Sequence, residues 1–168
     1  FSRRSQDFGI TIACQIEGII THSILVIPAL DEEFVSTRGT GSQLNSRRIR
    51  VVDDLAFENP LIAIEAESDN PEQLGKVVTA MKTGGALVRM TGSSAIDMAY
   101  TAAGRLSGGW CFNRNSLSHL ALSLLLTEAG GLIGDESGNP QIANANELIF
   151  ASPKTFKALV KLRQSLTL

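Results

Sequence analysis

Cysteine and histidine are scarce in this sequence of 168 residues, with two of each: Cys14 and Cys111, His22 and His119. Two thiols far apart in the chain cannot make a four-cysteine zinc site or a dense disulfide framework, so free thiols in a reducing cytosol are expected. Two imidazoles cannot assemble a histidine-rich metal site within one chain. An excess of basic residues is also lacking. Fifteen Lys and Arg face 17 Asp and Glu, a formal net charge of -2 with a pI near 5.7, which argues against grip on a nucleic-acid backbone. Nor is there a long apolar run: Ile19 to Leu30 is broken by Thr21, His22, Ser23 and Pro28, and Leu120 to Leu126 falls well short of the roughly 18 residues of a membrane span. A soluble, cytoplasmic chain with neither nucleic acid nor membrane as partner is the expectation. Phe1-Ser2-Arg3-Arg4-Ser5 runs into Gln6 and Asp7 rather than into the apolar stretch of a secretory leader, and a reading frame does not open on Phe. Residues upstream of Phe1 are therefore expected.

What is present is globular in character, 43% apolar and 19% charged, enough to bury roughly 70% of the unfolded chain's surface as one domain or one lobe of a larger one. The first third reads as an antiparallel β meander. Gly9 to Cys14 and Ile19 to Ile27 flank Glu17-Gly18 as a hairpin, Pro28 stops the second strand, and Phe34 to Thr37 forms another. Gly39-Thr40-Gly41 and Asn45-Ser46 punctuate the stretch beyond Thr37. From about Pro60 strands and helices alternate, which implies a layered α/β lobe: strands at Leu61 to Ile64, Ala86 to Val88, Gly109 to Phe112, Leu132-Ile133 and Leu148 to Phe150, with helices at Pro71 to Met81, Ala95 to Ala103, Leu117 to Ala129 and Pro153 to Ser165. On the third helix Leu117, Leu120, Ala121, Leu124 and Leu125 share one face. On the last, Phe156, Leu159 and Val160 point inward and Lys154, Lys157 and Lys161 outward. The two patterns meet near Arg50 to Asn59, dividing the chain into a β portion, 1–58, and an α/β lobe, 59–168.

Thr91-Gly92-Ser93-Ser94-Ala95 sets a glycine and two hydroxyls at the mouth of a helix directly after a strand. Unpaired N–H groups and the positive end of the helix dipole suit such a place to a phosphate or carboxylate, although most segments of this kind are ordinary N-caps. Lys82-Thr83-Gly84-Gly85 lacks the spacing of a P-loop, and no G-x-G-x-x-G follows a strand. Ser118 and His119 are helix neighbours whose side chains diverge by about 100°, and no G-x-S-x-G elbow is present, which excludes the usual serine hydrolase layout. Asp31-Glu32-Glu33, Asp53-Asp54 and Asp135-Glu136 read as solvated turn charge. Gly104, Gly130, Gly131 and Gly138 read as backbone geometry.

The run Thr91 to Arg105, followed by Glu128-Ala129-Gly130-Gly131-Leu132-Ile133 and Asp135, resembles the C-terminal half of the inositol monophosphatase family. Phe8 to Ala13, Pro28 to Phe34 and Arg38 to Asn45 resemble the β segments that precede it there, so the likeness runs through nearly the whole chain in order. The resemblance implies an α-β-α-β-α sandwich, seen here without its N-terminal part, a homodimer, and hydrolysis of a phosphate monoester of a small polyol or sugar. It implies Mg²⁺ held by carboxylates, because metals that activate water and neutralise a phosphoryl group need hard anionic ligands. Most of those ligands belong to the family's Glu-Glu segment and its D-P-[LI]-D-G-T-x-N-F loop, whose last residue aligns with Phe1. The resemblance carries substrate contacts onto the helix mouth Gly92, Ser93, Ser94 and Ala95. It carries an acidic substrate contact onto Cys111 and an Asp metal ligand onto Ser118; the substituted thiol is a degenerate contact and the hydroxyl a poor ligand for Mg²⁺. No residue of the chain is assigned a catalytic role. The chain is accordingly expected to be inactive as it stands, with a non-catalytic binding or regulatory relative as the alternative.

Overall fold

The computed structural model describes residues 6–52, 59–65, 71–112, 117–143 and 145–166. The expected Asp53-Asp54 turn and the boundary at 58/59 fall at or beside residues outside this set.

The β meander forms as the alternation requires. β1 (Ile10–Ile16), β2 (Ile19–Ile27), β3 (Glu32–Thr37), β4 (Gly41–Leu44) and β5 (Arg47–Ile49) pair antiparallel in chain order. Glu17 and Gly18, with φ of 51° and 79°, make the two-residue turn between β1 and β2, since positive φ at both positions matches the twist of the flanking strands. β4 and β5 are two strands where the sequence shows only turn residues. Asn45 and Ser46, with φ of 47° and 64°, form a second such turn between strands too short to show an alternation of their own.

The second sheet runs β7-β6-β8-β10-β9, with β6 (Leu61–Glu65) parallel to β7 (Leu87–Arg89) and β8 (Gly108–Cys111), and β10 (Leu148–Ala151) antiparallel to both β8 and β9 (Leu132–Gly134). Its central strands β6, β8 and β10 are buried on both faces, and period 2 divides their side chains. Ala63, Cys111, Leu148 and Phe150 join a core with α2 (Ser94–Ala102) and α3 (Leu117–Glu128), to which the meander adds Leu25, Ile27 and Phe34. Ile62, Ile64, Trp110, Ile149 and Ala151 join the opposite core with α1 (Pro71–Thr83) and α4 (Pro153–Ser165). The described layers are thus sheet, helices, sheet, helices, a mixed α/β sandwich. No helix among the described residues is long and apolar enough to cross a membrane.

α3 corrects the expected single apolar face. Leu117 is 84% exposed, whereas Leu122, Leu124, Leu125 and Leu126 are all buried, because the helix packs on β2, β3 and β4 on one side and on α2 on the other. A helix covered on both sides is apolar around its circumference. Its C-terminal turn is bonded to the meander. The Glu128 carboxylate accepts the N–H of Gly39 at Oε1 (2.8 Å) and of Gly41 at Oε2 (2.9 Å), Ser42 Oγ donates to the Leu125 carbonyl (2.6 Å), and Val51 N–H donates to the Ala129 carbonyl (3.1 Å). On α4, Phe156 and Leu159 are buried and Lys154, Lys157 and Lys161 exposed, as the spacing requires. Glu32 departs from the solvated-turn reading: it starts β3 and holds Arg105 at 2.6 Å.

Charge-assisted hydrogen bonds are worth about 1.5 to 3 kcal/mol each, and Glu128 is half-buried, so Glu128→Ala is expected to lower unfolding free energy by about 2 kcal/mol, and Glu128→Gln by less, in denaturant titrations.

Candidate functional site

The parallel strands β6 and β8 end side by side, with Glu65 and Cys111 in register as their last paired residues. The mouth of α2 and the first turn of α3 reach the same end of the sheet. Crevices outside the carboxyl ends of parallel strands are the usual ligand position of such sheets.

The helix mouth is built by a left-handed Gly92 (φ 78°), which turns the chain from Thr91 into Ser93 and Ser94. Ser93 is the N-cap residue but makes no side-chain cap. The Ser94 N–H, offered by the sequence as a donor for a bound anion, instead donates to Glu65 Oε2 at 2.9 Å. An internal carboxylate therefore holds part of the place expected for a phosphate. Ser94 Oγ lies 2.6 Å from His119 Nε2, both side chains buried. His119 thus pairs with a serine 25 residues earlier rather than with its neighbour Ser118. Burial holds the His119 imidazole below its ordinary pKa, against the pull of Glu65, and so favours the neutral ring.

Cys111, 1% exposed, has its pKa pushed well up by burial and by the charges of Glu65 and Asp97, which keeps it a thiol. Ser118 is half-buried and, with Leu117, borders a cleft of ≈ 410 Å³ whose other wall includes Thr11, Ala13 and Gln15 of β1. Ala95 is half-buried on the first turn of α2. Among the described residues, Glu65, Cys111 and His119 each offer one ligand atom, and these atoms lie within 4.8 Å of one another. This donor set does not fit Mg²⁺. The ion prefers an octahedron of hard oxygens, whereas only Glu65 of these three offers oxygen, beside the thiol of Cys111 and the imidazole of His119.

The sequence reading missed Glu65, whose signal was a carboxylate closing an otherwise apolar strand. It also missed Asp97, buried on α2, whose two carboxylate oxygens accept from Thr91 Oγ1 at 3.0 and 2.9 Å. Burial raises Asp97 to about 6, against the lowering effects of the Thr91 hydrogen bond and Arg89.

The family model for the inositol monophosphatase family matches residues 1–168. The chain is 32% identical over 158 residues to the Nus factor SuhB of Pseudomonas aeruginosa, covering 91% of this chain and 58% of that protein. It is 29% identical over 157 residues to the inositol-1-monophosphatase of Mesorhizobium japonicum, covering 92% and 59%. Among solved structures, the extragenic suppressor protein suhB of Bartonella henselae superposes with a TM-score of 0.87 at 27% identity, over 94% of this chain and 61% of that one. The chain spans about three fifths of the length of the curated relatives it matches.

Asp97 holds its proton more tightly in the folded chain than in the unfolded one. Its contribution is therefore complete below about pH 4 and is lost as pH rises to about 6, a change of about 3 kcal/mol for two pKa units. Denaturant midpoints of the parent chain and of Asp97→Asn, compared at pH 4 and pH 7, are expected to diverge in favour of the variant at the higher pH.

Proposed function

Because the chain belongs to the inositol monophosphatase family, we propose that it serves the ligand class of that family, a phosphorylated small polyol or sugar, through a lobe that does not itself hydrolyse the ester. One observation carries this reading: the Ser118 hydroxyl stands where the resemblance expects an Asp ligand of Mg²⁺, and the Cys111 thiol where it expects an acidic contact to the substrate, so the metal would lack a hard ligand and the substrate a polar partner. What this lobe contributes to a ligand is orientation. The Gly92 turn and the Ser93 and Ser94 mouth present the positive end of α2, and the cleft between Ser118 and β1 offers room for a small polar molecule. Anion binding would require Glu65 to release the Ser94 N–H. The free thiols of Cys14 and Cys111 support a reducing, cytoplasmic setting.

A second reading, a non-catalytic regulatory module, draws support from the internal Glu65 contact, which closes part of the anion position, and from the relative that is named a Nus factor.

Phosphate release from inositol 1-phosphate in the presence of Mg²⁺ is the decisive assay. No turnover is expected from this chain, together with a rise in melting temperature on adding the ester. Ser118→Asp is expected to raise Mg²⁺ affinity about tenfold by restoring one hard ligand. Turnover by the parent chain would overturn the proposal, and an ester that neither reacts nor shifts the melting temperature would favour the regulatory reading.

A further inference from the structure

We propose that Glu65, Cys111 and His119 form a site for a zinc-class divalent cation. Three different elements converge to make it. Glu65 closes β6 and Cys111 closes β8 in register with it, while His119 descends from the first turn of α3. One carboxylate oxygen, one sulfur and one ring nitrogen already lie within 4.8 Å of one another. In a tetrahedral zinc site, with bonds of about 2.0 to 2.3 Å, ligand atoms are about 3.4 to 3.6 Å apart, so closure needs side-chain movements of about an ångström.

The chemistry of the donors selects the metal. Sulfur and imidazole favour zinc and its borderline neighbours over Mg²⁺ or Ca²⁺, which prefer all-oxygen shells. Cys111 gives up its thiol proton to solvent as the ion binds, and charge then balances: a dication, one carboxylate, one thiolate and one neutral imidazole sum to zero, which suits a site where Cys111 and His119 are buried. Ser94 completes the arrangement. Its Oγ, 2.6 Å from His119 Nε2, and its N–H on Glu65 hold two of the three ligands in place without metal. Three protein ligands leave a fourth position open to water or to an exogenous oxygen ligand.

This inference stands apart from the phosphate-ester reading, since its test reads metal directly. Calorimetric titration of the purified, reduced chain with ZnCl₂ is expected to show one ion per chain with a dissociation constant of about 1 µM or tighter. MgCl₂ is expected to give no heat at the same concentrations. Co²⁺ is expected to give the thiolate-to-cobalt charge-transfer band and the visible bands of tetrahedral cobalt. Cys111→Ser is expected to abolish the charge-transfer band and, like His119→Asn, to weaken Zn²⁺ binding by about 100-fold. Circular dichroism of each variant separates loss of ligand from loss of fold, and Glu65→Gln, which preserves volume, provides a third arm. Cys14 faces His22 across the exposed β1–β2 hairpin and is the competing thiol. Cys14→Ser is expected to leave both affinity and band intact. Binding lost in Cys14→Ser but kept in Cys111→Ser would overturn the proposal, as would failure of the folded parent chain to bind Zn²⁺ or a cobalt spectrum without a thiolate band.

Discussion

The burial of α3 is the constraint on which the rest of this structure depends. Its buried leucines at 122, 124, 125 and 126 spread over more than one face and leave a narrow strip of Ser123 and Thr127 to solvent, so the helix is stable only if both of its sides are covered. The meander supplies one cover and α2, backed by the second sheet, the other, which fixes the layer order. The two ends of α3 then have separate duties. The C-terminal turn ties down the Gly39–Gly41 turn through Glu128. The N-terminal turn delivers His119 to the ends of β6 and β8.

At that end of the sheet a carboxylate of the chain itself meets the mouth of α2. A helix mouth suited to an external anion receives an internal one, because Glu65 accepts the Ser94 N–H. The Cys111 thiol closes β8 in register with Glu65, and the His119 imidazole from the first turn of α3 brings a third ligand atom within 4.8 Å of theirs. Elsewhere the fold handles buried charge by saturating it: Glu147 accepts from Trp110 Nε1 (3.0 Å), from Gln73 Nε2 (2.9 Å) and from Arg163 through Nε (2.7 Å) and a second guanidinium nitrogen (2.8 Å).

Much of the architecture was legible because its signals were local. Glu17-Gly18 announced a tight hairpin, the apolar stretches around Ile62 and Trp110 announced strands, and Pro153 with the lysine spacing after it announced α4. β4 and β5 were hidden because strands of four and three residues carry no readable alternation. The amphipathic reading of α3 failed at Leu117, since periodicity cannot reveal that a helix will be covered twice. The site was the least legible part. Ser94, Glu65, Cys111 and His119 are spread over 55 positions of chain, and the pairing of His119 with Ser94 rather than Ser118 exists only once α2 and α3 are packed.

Trp110 gives the molecule an optical property of its own. It is the chain's single tryptophan, fully buried, stacked on Phe112 at 5.5 Å and hydrogen-bonded to Glu147. The ultraviolet emission characteristic of indole therefore arises from one ring in the outer core between the second sheet and α1 and α4, immediately before Cys111 in sequence. Indole emission, excited at wavelengths that Tyr100 does not absorb, reports on that layer rather than on the meander, and any disagreement between it and circular dichroism during unfolding would measure how independently the two sheets come apart.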